Sequence, residues 1–266
     1  MPRLSVDIDV AYLDWQAPRE RALGEISHEI DTLTTRWRKI GLACRKIPGK
    51  DLGETKLIVS SDDVQVKVEV NAVFRGTVLA PEQRSLHSVT AEAFSTEVAL
   101  RTLAVDELYG SKLVAALDRQ HPRDLFDVWR LLQSGGISDA MVECFVCYLA
   151  GHNRPMHEVL FSTDKDFTRE FEQNFAGMTR EPVGQAVLGE ARAALRGELR
   201  RRLTGRHKSF LIGLSRAEPD WSLLICPYAG ELPALRWKVA NLEKFRKHRP
   251  VEFARQARAL ESGLNE

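Results

Sequence analysis

Residues 64–71 read Val-Gln-Val-Lys-Val-Glu-Val-Asn and alternate strictly between valine and polar side chains. Successive side chains of a β-strand point to opposite faces of a sheet, so this alternation is typical of a strand with one buried face. Glu69 shares the polar face with Lys67 and Asn71, opposite the valines. The pattern therefore predicts a half-buried strand, which requires a sheet in the N-terminal half of the chain.

Weaker signals extend this prediction along the chain. We expect strands over residues 2–13 and 55–60, and a helix over 19–41, where apolar side chains recur every three or four residues before Gly41. Helical spacing prevails later, while residues 208–226 include an expected extended stretch around 221–226. The later helices are predicted over residues 97–118, 123–134, 138–150, 164–175, 183–203 and 236–262.

The order of these elements predicts an α/β (α+β) fold in two parts. A mixed sheet flanked by helices is expected over residues 1–135, followed by a mainly helical C-terminal domain over 136–266. A chain of 266 residues is long enough for two modest domains of this kind.

Composition excludes several classes of protein. The formal net charge is +1, so a surface that binds nucleic acid has to be local rather than global. There is no apolar run long enough to span a bilayer and no charged-then-apolar leader, so we expect a cytoplasmic protein without membrane association. The four cysteines are few and unevenly spaced, which suits a reducing compartment.

Asp7 and Asp9 form an Asp-x-Asp pair inside the apolar run of the first predicted strand. Residues two apart on a strand share a face, and two carboxylates on one face favour a divalent cation as partner. Hard oxygen ligands of this kind suit Mg²⁺, with Mn²⁺ as the alternative. If the strand that holds Glu69 is a neighbour, three carboxylates converge there, although Glu69 is equally well explained as part of a solvated strand face.

A second cluster of charges lies between residues 112 and 127. Asp124 and Asp127 are three apart at the start of a predicted helix after Pro122, where acids also suit the helix dipole. Lys112, near the start of the preceding helix, is placed to neutralise nucleotide phosphates as a point charge, although a solvated helix lysine explains it when the segment is taken alone.

Together these motifs resemble one known family. The matching stretches are Arg-x-Ser-x-Asp-Ile-Asp at 3–9, Glu69, Lys112 and Asp-Arg-x-x-Pro-Arg-Asp-Leu-Phe-Asp at 118–127, with further similarity at 107–117, 152–157, 175–178 and 232–242. They are similar to the AbiEii/AbiGii-type toxins of the DNA polymerase β-like nucleotidyltransferase superfamily. The similarity covers nearly the whole chain, and residues 107–127 are its most specific part.

This resemblance implies a nucleotidyltransferase core over residues 1–135 and the enzyme half of a bacterial toxin–antitoxin or phage-defence (abortive infection) pair. It implies Mg²⁺-dependent transfer of nucleotides from an NTP to RNA, with the tRNA 3′ end as the expected acceptor. The other partner is a cognate antitoxin, for which a winged-helix regulator is one candidate. A protein hydroxyl as acceptor, or a catalytically silent binding protein, are the alternatives.

The resemblance also assigns roles to residues. Catalytic residues are expected at Asp7, Asp9, Glu69, Lys112 and Asp124, and Asp7, Asp9 and Glu69 are the expected metal ligands. Residues expected to bind the nucleotide are Ser5, Lys112 and Arg123. Relatives carry a Gly-Gly-Ser/Thr-x-x-Leu element just before the Arg-x-Ser-x-Asp-x-Asp motif, so we expect that this N-terminal part of the core is missing from the sequence.

Two other patterns have competing explanations. Residues 196–208 are rich in arginine with only Glu198 opposing, which favours contact with the RNA backbone at Arg200, Arg201 and Arg202, although solvated helix faces have the same composition. Cys144, Cys147, His152 and His157 have zinc-like spacing, but the cysteines lie in an apolar helical stretch and are better explained as small core residues.

Overall fold

The computed structural model describes residues 3–5, 7–48, 54–62 and 64–266. The strands in these segments are β1 (Asp7–Ala11), β2 (Ala43–Pro48), β3 (Glu54–Ser61), β4 (Val64–Asn71), β5 (Glu82–Ser85) and β6 (Ala99–Thr102). The α-helices are α1 (Arg19–Lys39), α2 (Ser88–Ala93), α3 (Val105–Asp118), α4 (Pro122–Gln133), α5 (Asp139–Ala150), α6 (Met156–Leu160), α7 (Thr168–Asn174), α8 (Gln185–Arg202), α9 (Gly205–Ser215), α10 (Pro233–His248) and α11 (Pro250–Asn265). None of these helices is both long and apolar enough to cross a membrane.

The chain divides into two compact units that alternate along the sequence. Unit 1 comprises residues 1–76, 177–182 and 230–237, and unit 2 comprises residues 77–176, 183–229 and 238–266. These units are defined by compactness, whereas the boundary predicted at residue 135 separates a catalytic core from a helical domain. That boundary stays a prediction.

Unit 1 contains a four-stranded mixed sheet in the order β1-β4-β3-β2. β1 runs parallel to β4, and the other neighbouring pairs are antiparallel. Helix α1 covers one face because its buried residues Ala22, Ile26 and Ile30 recur every four positions and form a single stripe. This stripe packs on Leu57 and Val68 of the sheet. The expected mixed sheet flanked by helices is confirmed.

Unit 2 is mainly helical, and its centre is the packing of α3 against α5. At Gly110 the two helices approach so closely that a Cβ atom would lie 2.8 Å from the backbone nitrogen of Phe145. Glu107, in the first turn of α3, is completely buried and anchors this end of the helix through hydrogen bonds. Its carboxylate accepts hydrogen bonds from the backbone N–H groups of Val78 (2.7 Å) and Leu79 (3.0 Å) and from the Tyr148 hydroxyl (3.0 Å).

Several predicted elements were wrong in type or extent. The stretch around residues 221–226 is not extended: it contains a short 3₁₀ helix, Trp221–Leu223, and α9 precedes it. The single helix expected over 236–262 is two helices, because Pro250 disfavours helical backbone at Arg249 and starts α11. The helix expected over 97–118 begins only at Val105, because strand β6 occupies Ala99–Thr102. The elements β2, β5, α2 and α6 were not predicted.

Candidate active site

The acidic residues of unit 1 lie on one face of the sheet. In the register of the parallel strands β1 and β4, Asp7 is the partner of Lys67 and Asp9 is the partner of Glu69. Partners in register point to the same side, so these four side chains share the face opposite the one on which Val68 packs against α1. The two acidic strands are therefore neighbours, which was the condition for three carboxylates to converge on one face.

Two lysines engage Glu69 on this face. Its Oε1 atom lies 2.8 Å from Nζ of Lys56 and 3.0 Å from Nζ of Lys67, and Lys67 also lies 3.5 Å from Oδ2 of Asp7. Partial burial alone would raise the pKa of Glu69, but the two ammonium groups outweigh it and hold the pKa below its usual value. Glu69 is therefore ionised at neutral pH. Lys56 could not be found from local spacing, because its position beside Glu69 depends on the register of β3.

The carboxylates on this face suit a cation that is bound mainly by Asp7 and Asp9. No group of three or more histidine, cysteine, aspartate or glutamate side chains within the described ranges is arranged to hold a metal ion. Mg²⁺ does not need such a cage, because it keeps several waters and uses one or two carboxylates together with substrate phosphates. Asp7 and Asp9 fit that requirement. Glu69 would have to exchange its lysine partners for the cation, so its role as third ligand stays a prediction.

Residues that precede β1 are fixed within unit 1. The backbone N–H of Leu4 donates to the carbonyl of Met178 over 2.9 Å, and Arg3 forms a β-bridge with Thr179. The Ser5 hydroxyl donates to the backbone oxygen of Asp7 over 3.4 Å. The expected contact of Ser5 with a nucleotide stays a prediction, and these contacts keep its hydroxyl next to the aspartate pair.

Lys112 is held by an acid in unit 2. Its Nζ atom lies 2.7 Å from Oδ2 of Asp127, which joins α3 to α4. Both side chains are partly exposed, with 30% and 15% of their surfaces accessible. Asp127 was not among the predicted site residues. Its spacing of three from Asp124 was the available signal, but spacing alone does not show which of two acids faces a lysine on another helix.

Asp124 lies in the first turn of α4 and is 7% exposed. Its Oδ1 atom accepts a hydrogen bond from Arg119 over 2.9 Å, whereas Oδ2 is buried without a hydrogen-bond partner among the described residues. An unsatisfied buried oxygen is costly, and functional sites are one place where it occurs. Nδ1 of His121 accepts from the backbone N–H of Arg123 over 3.1 Å and starts the helix. Among the described residues, Asp124 thus has one carboxylate oxygen without a hydrogen-bond partner.

The sequence pattern of a known family matches most of the chain. Residues 1–241 match the nucleotidyl transferase AbiEii toxin family of type IV toxin–antitoxin systems. The chain belongs to this family. The resemblance stated from the motifs is thus confirmed, and this AbiEii chain is a nucleotidyltransferase toxin of a type IV toxin–antitoxin system.

A solved structure supports the fold. MenT4, a nucleotidyltransferase toxin from Mycobacterium tuberculosis H37Rv, superimposes with a TM-score of 0.50 at 20% sequence identity. The match covers 97% of this AbiEii chain and 78% of MenT4. At this identity the likeness shows the fold alone, and it confirms the predicted fold class. No match was found among curated proteins.

The arginine-rich stretch of this AbiEii chain is less basic than its sequence indicates. Glu198 is the one acid within residues 196–208, but acids from other elements also pair with the arginines of this stretch. Arg201 contacts Glu198, and Arg202 contacts both Glu198 (3.4 Å) and Asp139 (3.3 Å). RNA contact at Arg200, Arg201 and Arg202 stays a prediction, and of these three only Arg200 has no ion pair within the described part of the chain.

The cysteines of α5 behave as core residues. Cys144 and Cys147 are completely buried, and burial raises the pKa of the Cys144 thiol to about 12. His152 instead lies 3.6 Å from Oδ2 of Asp118. These thiols are therefore protonated at neutral pH, as expected for side chains that pack as small apolar groups.

Proposed function

We propose that this AbiEii chain transfers a nucleotide from an NTP to the 3′ end of an RNA, with tRNA as the expected acceptor and Mg²⁺ or Mn²⁺ as cofactor. The observation that carries the proposal is the placement of Asp7 and Asp9 on one exposed sheet face beside Glu69. Membership of a nucleotidyltransferase family limits the reaction to nucleotidyl transfer. The acceptor is the part that requires an experiment.

The reaction replaces one oxygen on the α-phosphorus of the NTP with another. The oxygen of the RNA 3′-hydroxyl forms a bond to the α-phosphorus of the NTP, and the bond from that phosphorus to the bridging oxygen breaks. Pyrophosphate leaves with the electron pair, and the hydroxyl proton passes to Glu69 or to water. A divalent cation, when bound, lowers the pKa of the hydroxyl and neutralises charge on the triphosphate.

The residues of the chain supply ligands and charge. Asp7 and Asp9 would hold the cation, and Glu69 completes the acidic face once Lys56 or Lys67 has moved aside. We assign Lys112 to the triphosphate from the family resemblance, and its contact with Asp127 orients the ammonium group. Arg123 and Asp124 are assigned from the same resemblance to orienting the nucleotide.

The test is transfer of label from each of four α-labelled NTPs to total tRNA by the purified protein with Mg²⁺. We expect label in the RNA fraction and equimolar pyrophosphate. Label found in a partner protein instead would favour a protein hydroxyl as acceptor. Absence of transfer to any RNA, together with pyrophosphate release no faster than in the absence of protein, would contradict the proposal and favour a silent binding protein.

Membership of the family implies that a cognate antitoxin exists, but it does not identify the type of antitoxin. A neighbouring gene for a winged-helix regulator would identify one candidate. Co-expression that relieves growth arrest caused by the toxin would support the assignment.

A further inference from the structure

A cavity of about 570 Å³ lies within unit 2, and none of the residues expected to act in catalysis or to bind the metal or the nucleotide lines it. Its volume falls in the range of about 300–1,000 Å³ that is usual for small-molecule sites. Much of its wall is apolar and well packed. The leucines that line it are Leu117, Leu160, Leu199, Leu203 and Leu264, each of which is buried.

Three cationic side chains line the same cavity. Arg196 and Arg200 are four residues apart on α8 and therefore share a helix face, and Lys208 comes from α9. The only acidic side chain that lines the cavity among the described residues is Glu266. The lining thus combines an apolar wall with an excess of positive charge, which suits a ligand that has an apolar body and an anionic group.

Each of the three cationic side chains has N–H groups that make no hydrogen bond to a described residue. Arg196 is paired with Asp164, but its Nε is buried without an acceptor in the described part of the chain. Lys208 donates one hydrogen to the carbonyl of Leu264 over 2.6 Å, which leaves two. Arg200 is exposed and makes no ion pair with a described residue, in contrast to its neighbour Arg201.

One wall of the cavity is fixed before any ligand binds. The Ser162 hydroxyl, which lines the cavity, donates to the carbonyl of Leu117 over 3.0 Å. Gln120 is 1% exposed and donates to the carbonyl of Thr163 over 2.8 Å, and it accepts from Arg192 over 2.9 Å. Because these contacts already order the segment, binding requires little further loss of conformational freedom.

We propose that this cavity binds a nucleotide unit, with the phosphate at Arg196, Arg200 and Lys208 and the base against the leucine wall. Guanidinium and ammonium groups match phosphate, and a base offers a flat body that an apolar wall accommodates. The choice of a nucleotide over another anion with an apolar body rests on the proposed function. The unit is either the end of an RNA or a free nucleotide, and the two sources give different results below.

The test measures binding of two probes, labelled 5′-AMP and a single-stranded RNA trinucleotide, to the Asp7→Asn, Asp9→Asn protein. Replacing Arg200 and Lys208 together with glutamine removes two phosphate donors, and we expect affinity to fall about tenfold or more. The matched control is the Arg255→Gln, Arg258→Gln protein, because it removes two exposed positive charges of α11 that do not line the cavity. We expect it to change affinity less than about twofold.

A second pair of variants tests the cavity without changing charge. Ala193 and Ala194 are both exposed on α8, but only Ala193 lines the cavity. We expect Ala193→Trp to block both probes and Ala194→Trp to leave binding unchanged, with equal unfolding temperatures. Trinucleotide binding at least about tenfold tighter than AMP indicates an RNA end, and equal affinities indicate a free nucleotide.

The inference is overturned if Ala193→Trp binds both probes as well as Ala194→Trp does, or if replacing Arg200 and Lys208 lowers affinity no more than replacing Arg255 and Arg258. Because binding is measured on a protein without its aspartate pair, this failure is separable from failure of nucleotidyl transfer. Transfer to RNA together with unaffected binding in the cavity variants would leave the proposed function standing and remove this site.

Discussion

Charged residues in the two units differ in how deeply they lie. In unit 1 they occupy an open sheet face, where the side chains of Asp7 and Lys67 keep 28% and 33% of their surfaces exposed. In unit 2, Glu107 and Asp124 are 0% and 7% exposed. Partly exposed pairs of opposite charges contribute little to stability and stay accessible to ligands. A buried charge, in contrast, is costly to leave unpaired. The comparison predicts that charge changes in unit 1 alter chemistry and that buried ones in unit 2 alter folding.

The largest effect is expected from Asp7→Asn combined with Asp9→Asn. Loss of both carboxylates removes the proposed ligands of the cation, and we expect nucleotidyl transfer to fall by about 10³-fold or more. The free energy of unfolding should change by less than about 1 kcal/mol, because both side chains lie on the open face. Transfer assays and urea unfolding of the same preparation measure the two effects.

Asp31→Asn is the control for that variant. Asp31 also pairs with a lysine at the surface of unit 1, namely Lys46, but it lies on α1 rather than on the acidic face. A loss of transfer as large in this variant would show that any surface acid of unit 1 matters equally.

The next effect is expected from Glu107→Gln in unit 2. In glutamine an NH2 group replaces one of the two carboxylate oxygens, and an NH2 group cannot accept a hydrogen bond. The backbone N–H of Val78 or of Leu79 therefore loses its partner. We expect a loss of about 2 kcal/mol in the free energy of unfolding, measured with urea. A loss below about 0.5 kcal/mol would mean that this buried network does not stabilise unit 2.

Lys238, a buried charge of unit 2, is expected to make the stability of the protein depend on pH. It is 6% exposed and donates to the carbonyls of His152 (2.7 Å) and Arg154 (2.8 Å), and burial lowers its pKa from 10.5 to about 8. Between these two values the unfolded chain binds the proton and the folded chain does not, so this residue makes stability rise with pH. Relative to Lys238→Met, the wild type should gain about 1–3 kcal/mol between pH 8 and pH 10.

Urea unfolding of both proteins at several pH values checks this difference. Subtracting the variant cancels the titration of other groups. A difference that stays constant, or that shrinks as the pH rises, would show that Lys238 remains charged in the folded protein.

The smallest effect is expected from Asp127→Asn. The variant keeps the shape of the side chain but removes the charge that orients Lys112. We expect kcat/KM for the NTP to fall about tenfold, and the free energy of unfolding to change by less than about 1 kcal/mol because the pair is partly exposed. Glu158→Gln, which removes a surface acid paired with Arg154 in the same unit, should leave kcat/KM unchanged.

Sequence patterns predicted those parts of the fold in which one face of an element is buried. Strand β4 was predicted at its observed bounds because its valines alternate, and the same alternation placed the acids of unit 1 on one face. Strand β5 escaped prediction because all of its residues are exposed, so no apolar alternation marks it. Helix α2 has no buried residue either.

The site could be predicted only where local spacing determines which residues meet. Spacing of two along a strand was enough for Asp7 and Asp9. The contacts of Glu69 with Lys56 and of Lys112 with Asp127 depend on how separate elements pack, which local spacing does not specify. The pairing of Arg202 with Asp139 was not foreseen for the same reason, since Asp139 lies on another helix.

The most direct test of the central claim uses the wild-type protein, one labelled NTP and two forms of the same tRNA. One form ends in a normal 3′-hydroxyl and the other in a 3′-deoxy residue, each with Mg²⁺ or with EDTA. The account predicts that label enters only the RNA that has the hydroxyl, and only with Mg²⁺. Equal labelling of the two RNAs, or labelling that persists in EDTA, would contradict it.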